Sequence, residues 1–208
     1  MRRPEFIARQ SRHPSGVLGW IIGNIMAQET AALNVAVLEA LDLERTDHVL
    51  EVGFGHGRTI ERAARTVTSG LVAGIDISET MVRMAGRRCR PLIDQGRVQL
   101  EVGDSSRLPF PDQHFDKAYS VHTIYFWADP LTHLREIRRV QKSGGRLAIG
   151  LRPKGAESGA ADFPDSVYTF YETTAVRNLL AESGFEVRSV IEGHAGVEGF
   201  DVVVAERP

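Results

Sequence analysis

The chain has 208 residues and a mass of 23.0 kDa, with 42% hydrophobic and 25% charged residues. That balance suits one globular domain and excludes disordered and fibrous classes. Its 25 basic and 27 acidic side chains leave a net charge of −2, so no overall basic field draws in nucleic acid.

In chain order, residues 1–16 carry Pro4, Pro14, Gly16 and several basic side chains, and read as an irregular arm. Val17 to Met26 is apolar but too short to span a bilayer. It follows Arg2, Arg3, Arg9 and Arg12, the outline of a secretory leader, yet reads better as an amphipathic helix. Such a segment also offers a surface for transient membrane contact. Leu33, Ala36, Val37, Ala40 and Leu41 follow helical spacing, which predicts a helix over 29–43. HVLEVG (48–53) is a buried strand, and Ile60, Ala63, Ala64 and Val67 restore the helical period until Gly70.

Strands at 71–76, 97–103, 115–121 and 146–151 then alternate with helices. Ser78 is expected to cap a helix running to Arg90. Asp129-Pro130 opens another, which Gly144-Gly145 ends. A last helix opens at Thr173 or Thr174 and stops at Gly184, before two strands near 185–191 and 200–206. The alternation implies right-handed crossovers and a mostly parallel, doubly wound α/β sheet of seven strands. The closing strands suggest an antiparallel hairpin at one edge. Residues 1–46 form an arm and helical cap, and 47–208 the sheet domain.

In such a sheet a ligand lies outside the carboxyl ends of the strands, where strand order reverses. Strand one ends in Glu51-Val52-Gly53-Phe54-Gly55-His56-Gly57. This G-x-G-x-G loop differs from the G-x-G-x-x-G of dinucleotide binders, and its preceding carboxylate suits a ligand with an ammonium group. Asp76 ends strand two, where it can accept two ribose hydroxyls. Asp104 ends strand three and can accept from an adenine amino group. Ser120-Val121-His122 closes the floor of the same crevice.

On VLEVGFGHG (49–57), GIDISETM (74–81), VGDSSRLPFPDQHFD (102–116) and LREIRRVQKSGGRLAIG (134–150), the chain resembles the class I S-adenosylmethionine-dependent methyltransferases. The likeness is greatest to enzymes that methylate quinones, sterols and phospholipids, and it covers residues 47–152. It implies a Rossmann-like methyltransferase fold with S-adenosylmethionine as cofactor and S-adenosylhomocysteine as product. Glu51 would hold the methionine ammonium, with Gly53, Phe54 and Gly55 along that moiety. Asp76 would take the ribose, and Ile77 and Met81 would flank the adenine. Asp104, with Gly103 and Ser105, would read the adenine edge. Val121 or Ser120 would meet the methionine end. Where the family often carries histidine after strand four, this chain has Phe126.

The implied reaction is in-line methyl transfer to a small, apolar or lipid-like acceptor, in a cytoplasmic enzyme. His122 is the candidate base and Tyr125 a candidate orienting group. His13, His114, His133 and His194 lack metal-ligand spacing, so no metal is expected. His56 either faces solvent or packs beside the cofactor. Residues 14–38, with Trp20, Ile21, Ile22 and Met26, are expected to form a substrate lid. Arginines 83, 87, 88, 90, 135, 138 and 139 read as solvated helix faces rather than an RNA stripe. Cys89 lies among the first group and reads as a partly buried spectator, although the neighbouring arginines could lower its pKa. The competing readings are a nicotinamide-dependent oxidoreductase, disfavoured by the loop spacing, and a non-catalytic cofactor-binding protein. Acceptor identity and oligomeric state are left open.

Overall fold

The computed structural model describes residues 5–16, 30–155, 164–193 and 199–208. Trp20, Ile21, Ile22, Met26 and His194 therefore lie outside the described residues, as does the apolar segment that holds the first four. The helices are α1 (Glu5–Arg12), α2 (Ala31–Leu41), α3 (Arg58–Thr66), α4 (Glu79–Arg88), α5 (Arg90–Asp94), α6 (Pro130–Val140) and α7 (Thr173–Glu182). The strands are β1 (His48–Val52), β2 (Leu71–Asp76), β3 (Val98–Val102), β4 (Phe115–Val121), β5 (Gln141–Leu151), β6 (Glu186–Glu192) and β7 (Asp201–Glu206). They make one seven-stranded sheet in the order β3-β2-β1-β4-β5-β7-β6.

The first five strands pair in parallel, and β7 runs antiparallel to both β5 and β6. This is the expected doubly wound sheet with its C-terminal hairpin. Successive residues of a strand face opposite sides, so each strand feeds two cores. Leu50, Val52, Ala118 and Ile149 pack with α6 and α7 on one face, whereas Val49, Tyr119 and Ala148 pack with α2 and α3 on the other. Strands buried on both faces explain the near-continuous apolar runs in the sequence. The chain winds from β1 outward to β3, then returns to β4 on the other side of β1. That reversal opens a crevice at the carboxyl ends of β1 and β4.

Both expected caps form. Ser78 Oγ accepts from the Met81 amide at 3.3 Å, and Asp129 Oδ1 from the Leu131 amide at 3.2 Å, with Pro130 at the first helical position. Three boundaries differ from the sequence reading. The arm at 1–16 contains α1, whose Ala8 is 1% exposed within the core beside the sheet. The helix after Ser78 breaks at Cys89, and α5 follows with Pro91 in its first turn. Helix α6 ends at Val140, and Gly144-Gly145 lies inside β5. There the register passes from Phe115↔Gln141 to Lys117↔Arg146, a bulge that takes up the glycines. The carbonyls left free at the end of α6 are met by Arg207, whose guanidinium donates to Arg138 O at 2.7 Å and Arg139 O at 3.1 Å. A cap supplied from a remote strand end releases the helix from needing a local glycine stop. Among the described residues, no helix is long and apolar enough to cross a membrane.

At the amino-terminal edge of the sheet, Lys117 on β4 forms an ion pair of 2.8 Å with Asp47, and it also donates to the Asp42 carbonyl. Asp42 is the left-handed residue ending α2, at φ +52°. The lysine thus ties the end of α2 to the start of β1. Both side chains are largely buried, so Lys117→Ala strands a buried carboxylate. We expect a loss of about 3–5 kcal/mol in urea unfolding. Binding at the opposite edge of the sheet should be unchanged in whatever fraction stays folded.

Candidate functional site

The crevice holds a cavity of about 260 Å³. Three carboxylates approach it from consecutive strand ends: Glu51 from β1, Asp76 from β2 and Asp104 beyond β3. The parallel ladder aligns them, because Glu51 pairs with Gly74 and Asp76 with Val102. Gly53 N donates to Ile75 O at 2.8 Å and Gly103 N to Asp76 O at 3.0 Å, which carries the ladder past the last strand residues.

Each carboxylate has a different environment. Glu51 is 3% exposed and accepts one hydrogen bond, from the Tyr119 hydroxyl at 2.8 Å. Burial pushes its pKa up to about 8; the tyrosine opposes this and the nearby Asp76 adds to it. Such a group favours a cationic neighbour. Asp76 is also raised by burial, against the amides of Ser78 and Gly55 and the charge of His13. Its oxygens each accept one of those amides at 2.8 Å, which locks the loops after β1 and β2 together. Each oxygen keeps a second lone pair for a ligand. Asp104 is more open. Burial is the largest single influence and raises it, but the hydrogen bonds from the Ser106 amide and hydroxyl, together with His133, outweigh it, so its carboxyl lies below the usual range.

Glycine geometry shapes the floor. Gly53 sits at φ +77°, and a Cβ there would fall 2.4 Å from Thr123 Oγ1. Gly53→Ala therefore combines a left-handed alanine with a clash, and is expected to cost about 2–4 kcal/mol in urea unfolding. Gly55, at φ +55°, has nothing within 4 Å of its missing side chain. Its backbone is free to meet a ligand closely.

The cavity is lined by Glu51, Gly53, Phe54, Gly55, Asp76, Ile77, Met81, Gly103, Asp104, Ser105, Val121 and His122, all expected from sequence. Two expected residues are not on its wall. Ser120 is 1% exposed, and the strand alternation turns it to the face of Ala118, which packs with α6 and α7. Tyr125 is 4% exposed in the core behind the wall, bonded to His122 and Arg152. His122 lines the cavity, but burial and the Arg152 guanidinium hold its pKa down to about 3.

His133 and Arg12 on the wall escaped the sequence reading, whereas that reading places His56 and the 14–38 segment near the cofactor. His133, from α6, donates to or accepts from Ser105 Oγ at 2.8 Å and stacks on Trp127 with ring centroids 4.9 Å apart. His56 is 8% exposed, and its buried Nε2 has no hydrogen-bond partner among the described residues, so it does not face solvent. Burial, with Arg58 and Arg88 nearby, lowers its pKa to about 4. Arg12 and Pro14 close the side near Asp76, where the Pro14 carbonyl accepts from Ser78 Oγ at 2.5 Å. Thr30 and Asn34 complete that rim. Cys89, by contrast, is fully buried, and burial raises its thiol to about 11 against the pull of Arg88. It is an inert core residue rather than an activated one. Among the described residues, no group of three His, Cys, Asp or Glu could hold a metal ion.

Residues 50–149 match the methyltransferase domain family. The chain is 36% identical over 138 residues to the uncharacterized methyltransferase YdaC of Bacillus subtilis, covering 66% of this chain and 74% of that protein. It is 33% identical over 125 residues to 27-O-demethylrifamycin SV methyltransferase of Amycolatopsis mediterranei, covering 60% of this chain but only 46% of that protein. A solved S-adenosylmethionine-dependent methyltransferase from Aquifex aeolicus superposes with a TM-score of 0.72 at 23% identity, covering 98% of each chain. The family match and the YdaC relationship, on a sheet of this order, place the chain in the class I S-adenosylmethionine-dependent methyltransferase family.

Proposed function

We propose that this protein binds S-adenosylmethionine in the crevice and transfers its methyl group to a small, apolar acceptor. The supporting observation is that three carboxylates from consecutive strand ends line one cavity with an open glycine floor. The donor set fits the cofactor: a buried carboxyl that favours a cation, a two-oxygen acceptor for vicinal hydroxyls and an exposed acceptor beyond them. The unpartnered Nε2 of His56 is a further polar contact available to the ligand.

Glu51 would hold the methionine ammonium beside the Gly53–Gly55 backbone. Asp76 would accept the ribose hydroxyls, while Ile77 and Met81 flank the adenine and Asp104 and Ser105 meet its edge. Bound there, the cofactor supplies an electrophilic methyl on a sulfonium. The protein then has to align the acceptor, keep it close and exclude water. Val121, Phe126 and Trp127 give an apolar wall for that purpose. Pro14, Thr30 and Asn34 stand at the cavity rim; of the expected lid at 14–38, residues 17–29 lie outside the described residues, and 31–38 belong to α2, which packs on the sheet. The domain reading keeps 1–46 as cap and 47–208 as the cofactor-binding part.

Methyl-labelled S-adenosylmethionine incubated with a panel of small apolar acceptors tests the reaction. Label should pass to at least one acceptor with release of S-adenosylhomocysteine. Binding of S-adenosylhomocysteine without transfer to any acceptor would instead favour a non-catalytic cofactor-binding protein.

A further inference from the structure

His122 sits at φ +56°, a left-handed conformation that histidine tolerates better than most side chains. Its amide donates to Gly150 O at 2.9 Å, so the turn is held in place. The ring lines the cavity, and its Nδ1 is turned to the Tyr125 hydroxyl at 3.1 Å. That hydroxyl accepts from the Arg152 amide and has a single proton of its own to give. Two acceptors compete for the proton: His122 Nδ1 at 3.1 Å and the Arg152 carbonyl at 3.4 Å. The imidazole nitrogen is nearer and the more basic. With Nδ1 accepting, a neutral ring carries its hydrogen on Nε2.

We propose that His122 acts as a hydrogen-bond donor to an oxygen of the methyl acceptor, with Tyr125 as the positioning residue that sets its tautomer. This deepens the methyltransferase reading and rests on it. A ring with hydrogen on Nε2 has no lone pair there with which to take a proton. Its surroundings also keep it neutral: the Arg152 guanidinium faces it, the Phe200 ring lies edge-on at 5.2 Å, and Tyr125 is itself uncharged. The acceptor class is then one that binds as an oxygen anion, an ionised phenol or enol, rather than an amine awaiting deprotonation. The Nε2–H stabilises that anion by a charge-assisted bond. Oxygen or the conjugated carbon forms the new bond to the methyl. The electron pair of the broken carbon–sulfur bond stays on sulfur, and no proton passes to the protein.

Nitrogen-15 NMR of the full chain, labelled at histidine and saturated with S-adenosylhomocysteine, reads the tautomer directly. His122→Asn, which tolerates the same backbone conformation, identifies the signal by its loss. A single Nε2–H tautomer is expected, unchanged from about pH 5.5 to 8, and Tyr125→Phe should convert it to a mixture. Adding 4-nitrophenolate should shift the Nε2 resonance, whereas the neutral isostere 4-nitroaniline should leave it in place. An Nδ1–H tautomer in the parent, a ring that titrates near the ordinary histidine value, an unchanged tautomer in Tyr125→Phe, or no response to the phenolate would each overturn the proposal. Failure to bind S-adenosylhomocysteine would instead remove the methyltransferase reading, and calorimetry detects that separately.

Discussion

Asp76→Ala is expected to weaken S-adenosylhomocysteine binding by about 100-fold or more. Two charge-assisted hydrogen bonds to ribose hydroxyls, each worth roughly 1.5–3 kcal/mol, disappear together. A second loss adds to the first. The carboxylate joins the Gly55 and Ser78 amides at 2.8 Å each, so its removal also frees the two loops that form the crevice. Asp76→Asn separates the two effects. Its amide oxygen can satisfy only one of those N–H groups, and its NH2 then faces the other. Asparagine should therefore recover little of the affinity. Calorimetric titration, with urea unfolding to confirm that both variants are folded, checks this. Parent-like affinity in the alanine variant would show that Asp76 does not hold the ribose.

The second large effect is pH dependence through Glu51. Its carboxyl, held up to about 8 by burial, is mostly protonated at neutral pH in the free protein. An ammonium ligand needs the carboxylate, so binding must expel a proton. Affinity for S-adenosylhomocysteine should rise by close to tenfold per pH unit between about pH 5.5 and 7.5. Glu51→Gln should flatten this dependence, matching the parent near the acidic end and falling well below it at the other. Folding stability should move in the opposite sense. A carboxyl whose folded pKa lies above its unfolded value of 4.5 favours folding when protonated, and that contribution is lost as pH rises toward 8. Ligand-free Glu51→Gln should thus resist urea better than the parent at the alkaline end, with no difference near pH 4. A flat binding profile in the parent would contradict the assignment.

The carboxylate half of the crevice was legible because each of its side chains lies within a few residues of a strand end. Short runs closed by glycine mark β1 and β3, an apolar run ending at Asp76 marks β2, and the ladder then brings their carboxylates to one edge without further information. Ser78 and Asp129 were readable as caps for the same local reason. What stayed hidden depends on remote packing. His133 reaches Ser105 across 28 positions only because α6 lies over the loop after β3. Arg207 caps α6 from 68 and 69 residues away, which is why the helix ends four residues before the glycine that would have signalled a local stop. Helix α1 was obscured by prolines at both of its borders. Tyr125 looked like a cavity residue from its place after β4, but the single-turn helix Ile124–Phe126 rotates it into the core and leaves Phe126 on the wall.

That division bears on substrate choice. Much of the chain builds the crevice, and the wall proposed for the acceptor is assembled from its margins. Phe126 meets Tyr168 with ring centroids 4.8 Å apart, and Tyr168 stacks on Phe170. The stretch before α7 thus backs the wall behind Phe126. The aromatic character of this layer is consistent with the proposed acceptor, a flat apolar body with a single polar oxygen.

Isothermal titration of the purified chain with S-adenosylhomocysteine and, separately, with NAD bears most directly on the identity of the crevice. Saturable one-to-one binding of S-adenosylhomocysteine, weakened by about 100-fold or more in Asp76→Ala, with no heat from NAD, is the expected result. Saturation by NAD with none by S-adenosylhomocysteine would contradict it.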